Sequence, residues 1–423
     1  MNLPPREILL SLFDAAVDAA RPETCLPPYL PSRPKGKTVV IGMGKSAAAM
    51  AKTVEDHWDG PLSGVVVTRY GHGVDCHSVK VLAASHPVPD QAGVDATREI
   101  LSCIQGLTED DLVLCLISGG GSALLVQPPD SVPLAEKQAL TLSLLKCGAT
   151  ISEINAVRKQ FSLVKGGRLA AACGPAKMVS LIISDVPGDD LAFIASGPTY
   201  PNDTTAEQVS AILERYHIAL STKLARALDR SQNLPPHHRA FDRVENVLIA
   251  TPQMSLDAAA AQAKGMGLSP LILGDRIEGE SREVAIVMAG IATQCAARRQ
   301  PVEPPCVLLS GGETTVTISG NGKGGPNTEF LLSLAIALNG HDSISAIACD
   351  TDGIDGSEDN AGAVVTPDTL ERARDLDLSP LAYLSANNAY CFFHSLDDLV
   401  VPGPTLTNVN DFRAILIEGD RMG

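Results

Sequence analysis

Apolar residues along this chain gather into short continuous runs instead of alternating with polar ones. Val-, Ile- and Leu-rich runs stand at 38–42, 64–68, 79–84, 112–118, 179–184, 247–250, 270–273, 307–310, 314–318, 344–349 and 413–417. Such runs predict strands covered on both faces. Between most of them lie Ala-rich stretches with helical spacing, so the pattern predicts parallel βαβ units from one end of the chain to the other, an α/β protein.

At 423 residues the chain exceeds one ordinary domain. The stretch SQNLPPHHRAF at 231–241 sets two prolines and polar residues between a helical run and a new strand. It predicts a boundary, with one domain at 1–235 and a second at 242–423. No short-period repeat is visible, although SGGGS and SGGET both follow apolar strands.

Composition narrows the partners. The net charge of -16 repels nucleic-acid backbones and anionic membrane surfaces, and an anionic substrate would need local cations or a metal ion. The ten cysteines are scattered without Cys-x-x-Cys or zinc spacing and are expected to be reduced thiols. Residues 6–21 are amphipathic and carry Glu7, Asp14 and Asp18, unlike a secretory signal, and no apolar run reaches membrane-spanning length. A cytoplasmic location is expected.

Several loops carry candidate chemistry. In TVVIGMGKSAAAMA, Gly42 and Gly44 stand at a strand exit and Lys45 opens a helix. That arrangement suits a phosphate or a carboxylate, because glycines allow close backbone approach and a helix start offers free N–H groups. It is not a Walker A loop, since Val39 occupies the position of the first glycine. The spacing Gly42, Gly44, Ala47 meets the loose dinucleotide fingerprint, but the second strand ends at Thr68 and Arg69 instead of an acidic residue, which disfavours NAD and leaves NADP. LISGGGSALL presents Ser118, Gly119, Gly120, Gly121 and Ser122 as an anion nest. Leu124 takes the last position of a hydrolase elbow, so a nucleophilic serine is not expected. Ser85 and His86 sit before a proline-stiffened turn, where His86 can contact a substrate hydroxyl or carboxylate or be structural.

In EINAVRKQFSLVKGGR, helical spacing brings Asn155, Arg158 and Lys159 close together, with Lys165 and Arg168 beyond. In so acidic a chain this is the best candidate for binding an anionic substrate. Two carboxylate clusters follow strands: Asp185, Asp189 and Asp190 in SDVPGDD, and Asp350, Asp352, Asp355, Glu358 and Asp359 in CDTDGIDGSEDNAG. Carboxylates at a strand's C-terminal edge suit Mg²⁺ shared with phosphate oxygens, and the second cluster lacks EF-hand spacing. SGGET supplies Gly311, Gly312 and Glu313, and the glycine-rich stretch after it bears Lys323, Asn327 and Glu329.

Taken in order, GMGKSAAAMA, SHPVPD, SGGGSALL, NAVRKQFSLVKGGRLA, SDVPGDDLAFIASGPT, SGGETTVT, GKGGPNTEF and DTDGIDG resemble the glycerate 2-kinase family that carries a MOFRL C-terminal domain. The match runs from about residue 38 to the C-terminus. The resemblance implies a Rossmann-like N-terminal domain with a largely parallel sheet, a second α/β domain and an active site in the cleft between them. It also implies ATP and Mg²⁺ as cofactors and D-glycerate phosphorylated at its 2-hydroxyl. No nucleic-acid or membrane partner is expected, and a homodimer is compatible with the chain. The family's catalytic lysine falls on Lys45, while its second catalytic cation, an arginine, falls on Pro326, and Thr328 replaces the family glutamine. On this reading Lys45 stabilises the transferring phosphoryl group, and Asp189, Asp350 or Asp352 holds Mg²⁺ or accepts the hydroxyl proton. Arg158 and Lys159 bind the glycerate carboxylate, and SGGGS and SGGET cradle phosphates. Members have also been labelled hydroxypyruvate reductases; an NADPH-dependent reductase, resting on the Gly42, Gly44, Ala47 spacing and Arg69, is one rival, and a nucleotide- or hydroxy-acid-binding protein made catalytically silent by Pro326 is the other.

Overall fold

The apolar runs build two six-stranded sheets, each at the centre of its own unit. The structure is a computed structural model that describes residues 3–419. One unit is Pro22–Ile249, and the other joins the residues up to Arg21 with those from Ala250 onward.

In the Pro22–Ile249 unit the strands are β1 (Thr38–Met43), β2 (Ser63–Arg69), β3 (Val79–Ala84), β4 (Leu112–Ile117), β5 (Lys177–Ile183) and β6 (Val244–Ala250), in the order β3-β2-β1-β4-β5-β6. The pairs from β3 through β5 are parallel. Every residue of β1 and β4 is buried, which is why their sequence shows no alternation. From β1 the chain winds outward to β3, then crosses back to β4, so the winding direction reverses between β1 and β4. That is the switch point at which open α/β sheets bind ligands. A helical annex of Leu134–Lys146, Ile151–Gln160, Ala206–Arg215 and Thr222–Asp229 packs its own core around Leu140, Leu144, Phe161, Leu213 and Leu224. Two of these helices start in reciprocal capping boxes, Thr150 with Glu153 and Thr205 with Gln208.

The second unit contains β7 (Ser269–Gly274), β8 (Gly279–Glu280), β9 (Cys306–Gly312), β10 (Thr314–Thr315), β11 (Ile344–Asp350), β12 (Gly362–Val365), β13 (Leu399–Val400) and β14 (Asp411–Ile417). Its large sheet runs β13-β12-β11-β14-β9-β7, while β8 and β10 form a small ribbon. Only β7 and β9 are parallel within the large sheet; the other pairs are antiparallel, against the expectation of parallel units throughout. The Asp-rich segment between β11 and β12 holds no helix. It is too short for the crossover a parallel pair requires, so β12 folds straight back.

The unit boundaries also differ from the expected 235/242 division. The polar stretch at 231–241 precedes β6, and β6 still completes the edge of the first sheet. At the other end, the Pro5–Ala20 helix belongs to the second unit, where Leu9, Leu12 and Phe13 are buried in a core with Leu256, Leu309, Phe412 and Leu416. Ser255 donates to Ala16 O and Thr407 to Ala20 O, tying the C-terminal half of that helix down. No described helix is long and apolar enough to cross a membrane.

Leu12→Ala should therefore destabilise the second unit by ~2–5 kcal/mol through loss of burial and the cavity left behind. Amide exchange should accelerate in β11 and β14 and stay unchanged in β1 and β4; acceleration confined to the first sheet would contradict this assignment.

Candidate active site

A parallel sheet presents the C-terminal ends of its strands along one edge, so the loops after β1, β3, β4 and β5 emerge together. At the switch point the first and third of these interlock. Lys45 N donates to Gly119 O at 2.8 Å, Ser46 N to Ser118 Oγ at 3.0 Å and Ser118 N to Met43 O at 3.0 Å. Gly44 has φ +128°, and a Cβ there would overlap the backbone and hydroxyl of Ser118. Its glycine is required by loop-on-loop packing, which removes the reason the dinucleotide fingerprint gives for it. Gly42 is likewise a packing glycine inside β1, where a Cβ would meet Leu116 O and Val66. Beyond this lock, Gly120 adopts φ +78°, with His86 and Lys45 so close that an added Cβ would lie 3.0 Å from the imidazole and 3.4 Å from Lys45 Cγ. Lys45, His86 and the SGGGS loop thus form one cluster. Ser85 supports it from behind, its backbone N–H bonding the Asp90 carboxylate that caps the following helix.

The hydroxyls of SGGGS are engaged within the loop system. Ser122 Oγ lies 2.7 Å from Ser196 Oγ, which in turn donates to Asn155 Oδ1. Ser196 and Ala195 both hold positive φ, at 64° and 49°, an uncommon conformation for non-glycine residues that marks strain beside the cluster. Asp189, with φ 58°, and Asp190 sit in the loop after β5 on the same sheet edge.

The expected basic cluster divides. Lys165 is 1% exposed, and its ammonium is held by Ser122 O at 2.7 Å, Leu125 O at 3.1 Å and Ser122 Oγ at 3.3 Å. All three of its donors are used inside the protein, so it braces the SGGGS loop and does not face a ligand. Arg168 similarly donates to the carbonyls of Lys159, Lys165 and Gln232. Arg158 and Lys159 occupy different faces of the Ile151–Gln160 helix. Lys159 lies over the Phe193 ring, 5.6 Å from its centroid, and lines a cavity, whereas Arg158 is sensed by Lys137 and Lys165. Lys137 was not singled out by any motif, yet it is buried and donates to Phe161 O at 2.9 Å. Its signal was a charge on the apolar stripe it shares with Leu140 and Leu144. Burial first, then Arg158 and Arg168, push the Lys137 ammonium down to about 7. Burial also holds Arg158, Lys159 and Lys165 below their usual ranges. With carbonyls instead of carboxylates as partners, the Arg168 guanidinium keeps its charge uncancelled, whereas burial partly removes the charge of Lys137 near pH 7.

In the second unit, β9 and β11 both pair antiparallel to β14, so SGGET and the Asp350 turn reach the same edge, where Gly312 and Asp350 both oppose Asp411. Gly312 is left-handed and packs on Ile277, and Gly311 faces Asp411 O. Glu313 is exposed. Asp350 and Asp352 form successive turns, Asp350 Oδ1 accepting from Asp352 N and Asp352 Oδ1 from Ile354 N. Asp355 caps the Pro326–Leu338 helix through Asn327 N, Thr328 N and Thr328 Oγ1. Burial raises its carboxyl to about 6 despite these bonds. Asn327 spends its amide on Asp355 and Asp411, and buried Arg413 pairs with Asp411 over the Phe330 ring. Glu329 is 2% exposed and holds Arg282 and Asn387, so it pins the Ser319–Gly320 turn through Asn387. Lys323 pairs with Glu358 at the surface. Pro326 is the first residue of its helix, a position whose N–H has no intrahelical role. Asp411 and Arg413 lay unnoticed in an apolar strand. Among the described residues no group of three or more His, Cys, Asp or Glu is placed to hold a metal ion. The carboxylates present suit an ion that takes one or two protein ligands and keeps phosphate or water for the rest.

Because the folded-state ammonium of Lys137 titrates near 7 and an unfolded lysine near 10.5, the unfolded chain holds the extra proton between those values. The destabilisation is complete below pH 7 and is relieved as pH rises through that window. The unfolding free energy of the wild type minus that of Lys137→Met should therefore increase by ~2 kcal/mol from pH 7 to 9 in urea titrations. A flat difference would mean that Lys137 stays charged.

Residues 8–229 match a domain of unknown function (DUF4147), and residues 306–411 match the MOFRL family. A protein of Agrobacterium vitis, provisionally named a hydroxypyruvate reductase, is 53% identical over 97% of this chain and 94% of its own length. The glycerate 2-kinase of Pyrococcus horikoshii is 40% identical over 92% of this chain and 89% of its own. The crystal structure of a glycerate kinase from Thermotoga maritima superposes with a TM-score of 0.90 at 38% identity, covering 97% of this chain and 99% of that one. Two α/β units of matching architecture, a lysine and glycine loop at the switch point, and relatedness over nearly the whole length lead to one conclusion: this chain belongs to the MOFRL-containing glycerate kinase family.

Proposed function

We propose that the protein transfers the γ-phosphoryl group of ATP to the 2-hydroxyl of D-glycerate, giving 2-phosphoglycerate and ADP. The observation that carries the reading is the meeting of Lys45, His86 and the SGGGS loop at the β1/β4 switch point. The relatives named glycerate kinase support the same substrate.

Phosphoryl transfer requires positioning and neutralisation of charge more than covalent catalysis. Lys45 supplies a cation at the start of the Ala47–His57 helix, whose free N–H groups favour the same anion. Loop amides at 119–122 add donors, and Lys165 keeps that loop in shape from beneath. Arg158 is the candidate partner of the glycerate carboxylate. Lys137 and Lys165 lie close enough to sense its charge, and neither brings a carboxylate that would compete with the substrate. His86, against Gly120, is the candidate contact for the hydroxyl of the acid. Mg²⁺ bound with ATP would neutralise phosphate charge, with Asp189, Asp350 or Asp352 as its protein ligand. One of these carboxylates is also the candidate acceptor for the hydroxyl proton.

Incubation with D-glycerate, Mg²⁺ and ATP should yield 2-phosphoglycerate by phosphorus NMR, while hydroxypyruvate with NADPH should show no loss of absorbance. Reduction without phosphorylation would overturn the reading. Lys45→Ala should lower kcat by ~10²–10³-fold, the usual effect of removing one charge-stabilising donor; near-normal turnover would remove Lys45 from the mechanism.

A further inference from the structure

Apart from the switch-point cluster, the Pro22–Ile249 unit contains a cavity of about 680 Å³ between the Ile151–Gln160 and Ala206–Arg215 helices. Lys159, Phe193, Tyr200, Asp203 and Arg215 are among its lining residues. Its size lies in the range of sites for ligands far larger than a three-carbon acid. Arg215 is spent on Glu153, which caps the first helix. Lys159 is not spent: it is 6% exposed, and its ammonium has no hydrogen bond or salt bridge among the described residues, only the face of Phe193. A charged side chain buried to this extent gains from an acceptor, because desolvation of its charge is costly. Asp190 and Asp203 act on it through space without contact. The cavity therefore offers a buried cation, the Phe193 and Tyr200 side chains for a planar ring, and the Asp203 carboxylate for sugar hydroxyls.

The wall of this cavity is joined directly to the phosphate loop. Phe193 precedes the Ile194–Ser196 turn, and Ser196 touches Ser122. Two residues separate Phe193 from Ser196, at most about 10 Å of chain. A ligand whose ring sits by Phe193 can thus direct an anionic tail along this segment toward SGGGS and Lys45.

We propose that this cavity is the nucleotide pocket, with the ring lying against the aromatic side chains and a phosphate on Lys159. The assignment rests on the kinase reading, and it moves Lys159 from the acid's carboxylate to the nucleotide. It also explains why Arg158 and Lys159 diverge: one serves each substrate.

The test is calorimetric titration of the full chain with MgADP. Lys159→Gln should weaken ADP binding at least tenfold and Lys159→Arg should restore most of it. Ala211→Trp, at an exposed position on the cavity wall, should block the pocket without disturbing the core, and Ala156→Phe should do so from the facing helix. The thermal shift produced by D-glycerate should persist in all four variants. If wild type and all variants bind ADP alike, the pocket assignment fails while the kinase reading stands. Loss of the glycerate shift with ADP binding intact would make the cavity an acid site and also overturn the assignment. If the wild type neither binds ADP nor phosphorylates glycerate, both readings fall.

Discussion

The close approach of Gly44 to Ser118 is the constraint on which the site of the first unit depends. Two strands adjacent across the switch point must end in loops that touch backbone to backbone, and a side chain at position 44 would force them apart. Once locked, the loop after β1 delivers Lys45 and a helix start, and the loop after β4 turns through left-handed Gly120 beneath His86. The same contact explains a motif that reads like a dinucleotide fingerprint without the geometry that gives such a fingerprint its meaning.

Around this lock the protein spends buried charge in an uneven way. Lys165, Arg168 and Lys137 are all tied to main-chain carbonyls, so no carboxylate partner cancels the charge of Arg168, while burial lowers the proton affinity of both lysines. A negatively charged chain can in this way serve anionic substrates: overall charge acts at long range and is screened, whereas desolvated cations act locally and are not. The second unit follows the opposite rule. There Asp355, Asp411, Arg413, Asn327 and Glu329 bond within the protein and hold the Pro326–Leu338 helix against its sheet. Conspicuous polar residues in that segment are largely structural. Asp350 and Asp352, in the turn beside them, are the ones that remain candidates for metal binding.

Legibility in the sequence followed the range of the interactions involved. Most strands could be read because full burial writes itself as an apolar run, and the glycine loops because a strand exit beside a helix start has few conformations. Direction in the second sheet could not be read: β14 enters between β9 and β11 from far along the chain, and apolar runs carry no sign of parallel or antiparallel pairing. The same holds for the Pro5–Ala20 helix, whose amphipathic face did not say which core it joins.

The sequence by itself determined that this is an α/β protein with phosphate-type loops and an ordered set of family motifs, since these depend on local backbone preferences and on burial of contiguous residues. Tertiary structure alone decided what each charged residue does. It turned Lys165 inward as a brace, brought Lys137 into the basic group, bonded Glu329 and Asn327 within the protein, and set Arg158 and Lys159 in different surroundings. The physical reason is that a charge is defined by its desolvation and its partners. Both come from residues distant along the chain, and a rotation of about 100° between neighbouring helical positions is enough to send two adjacent cations into different environments.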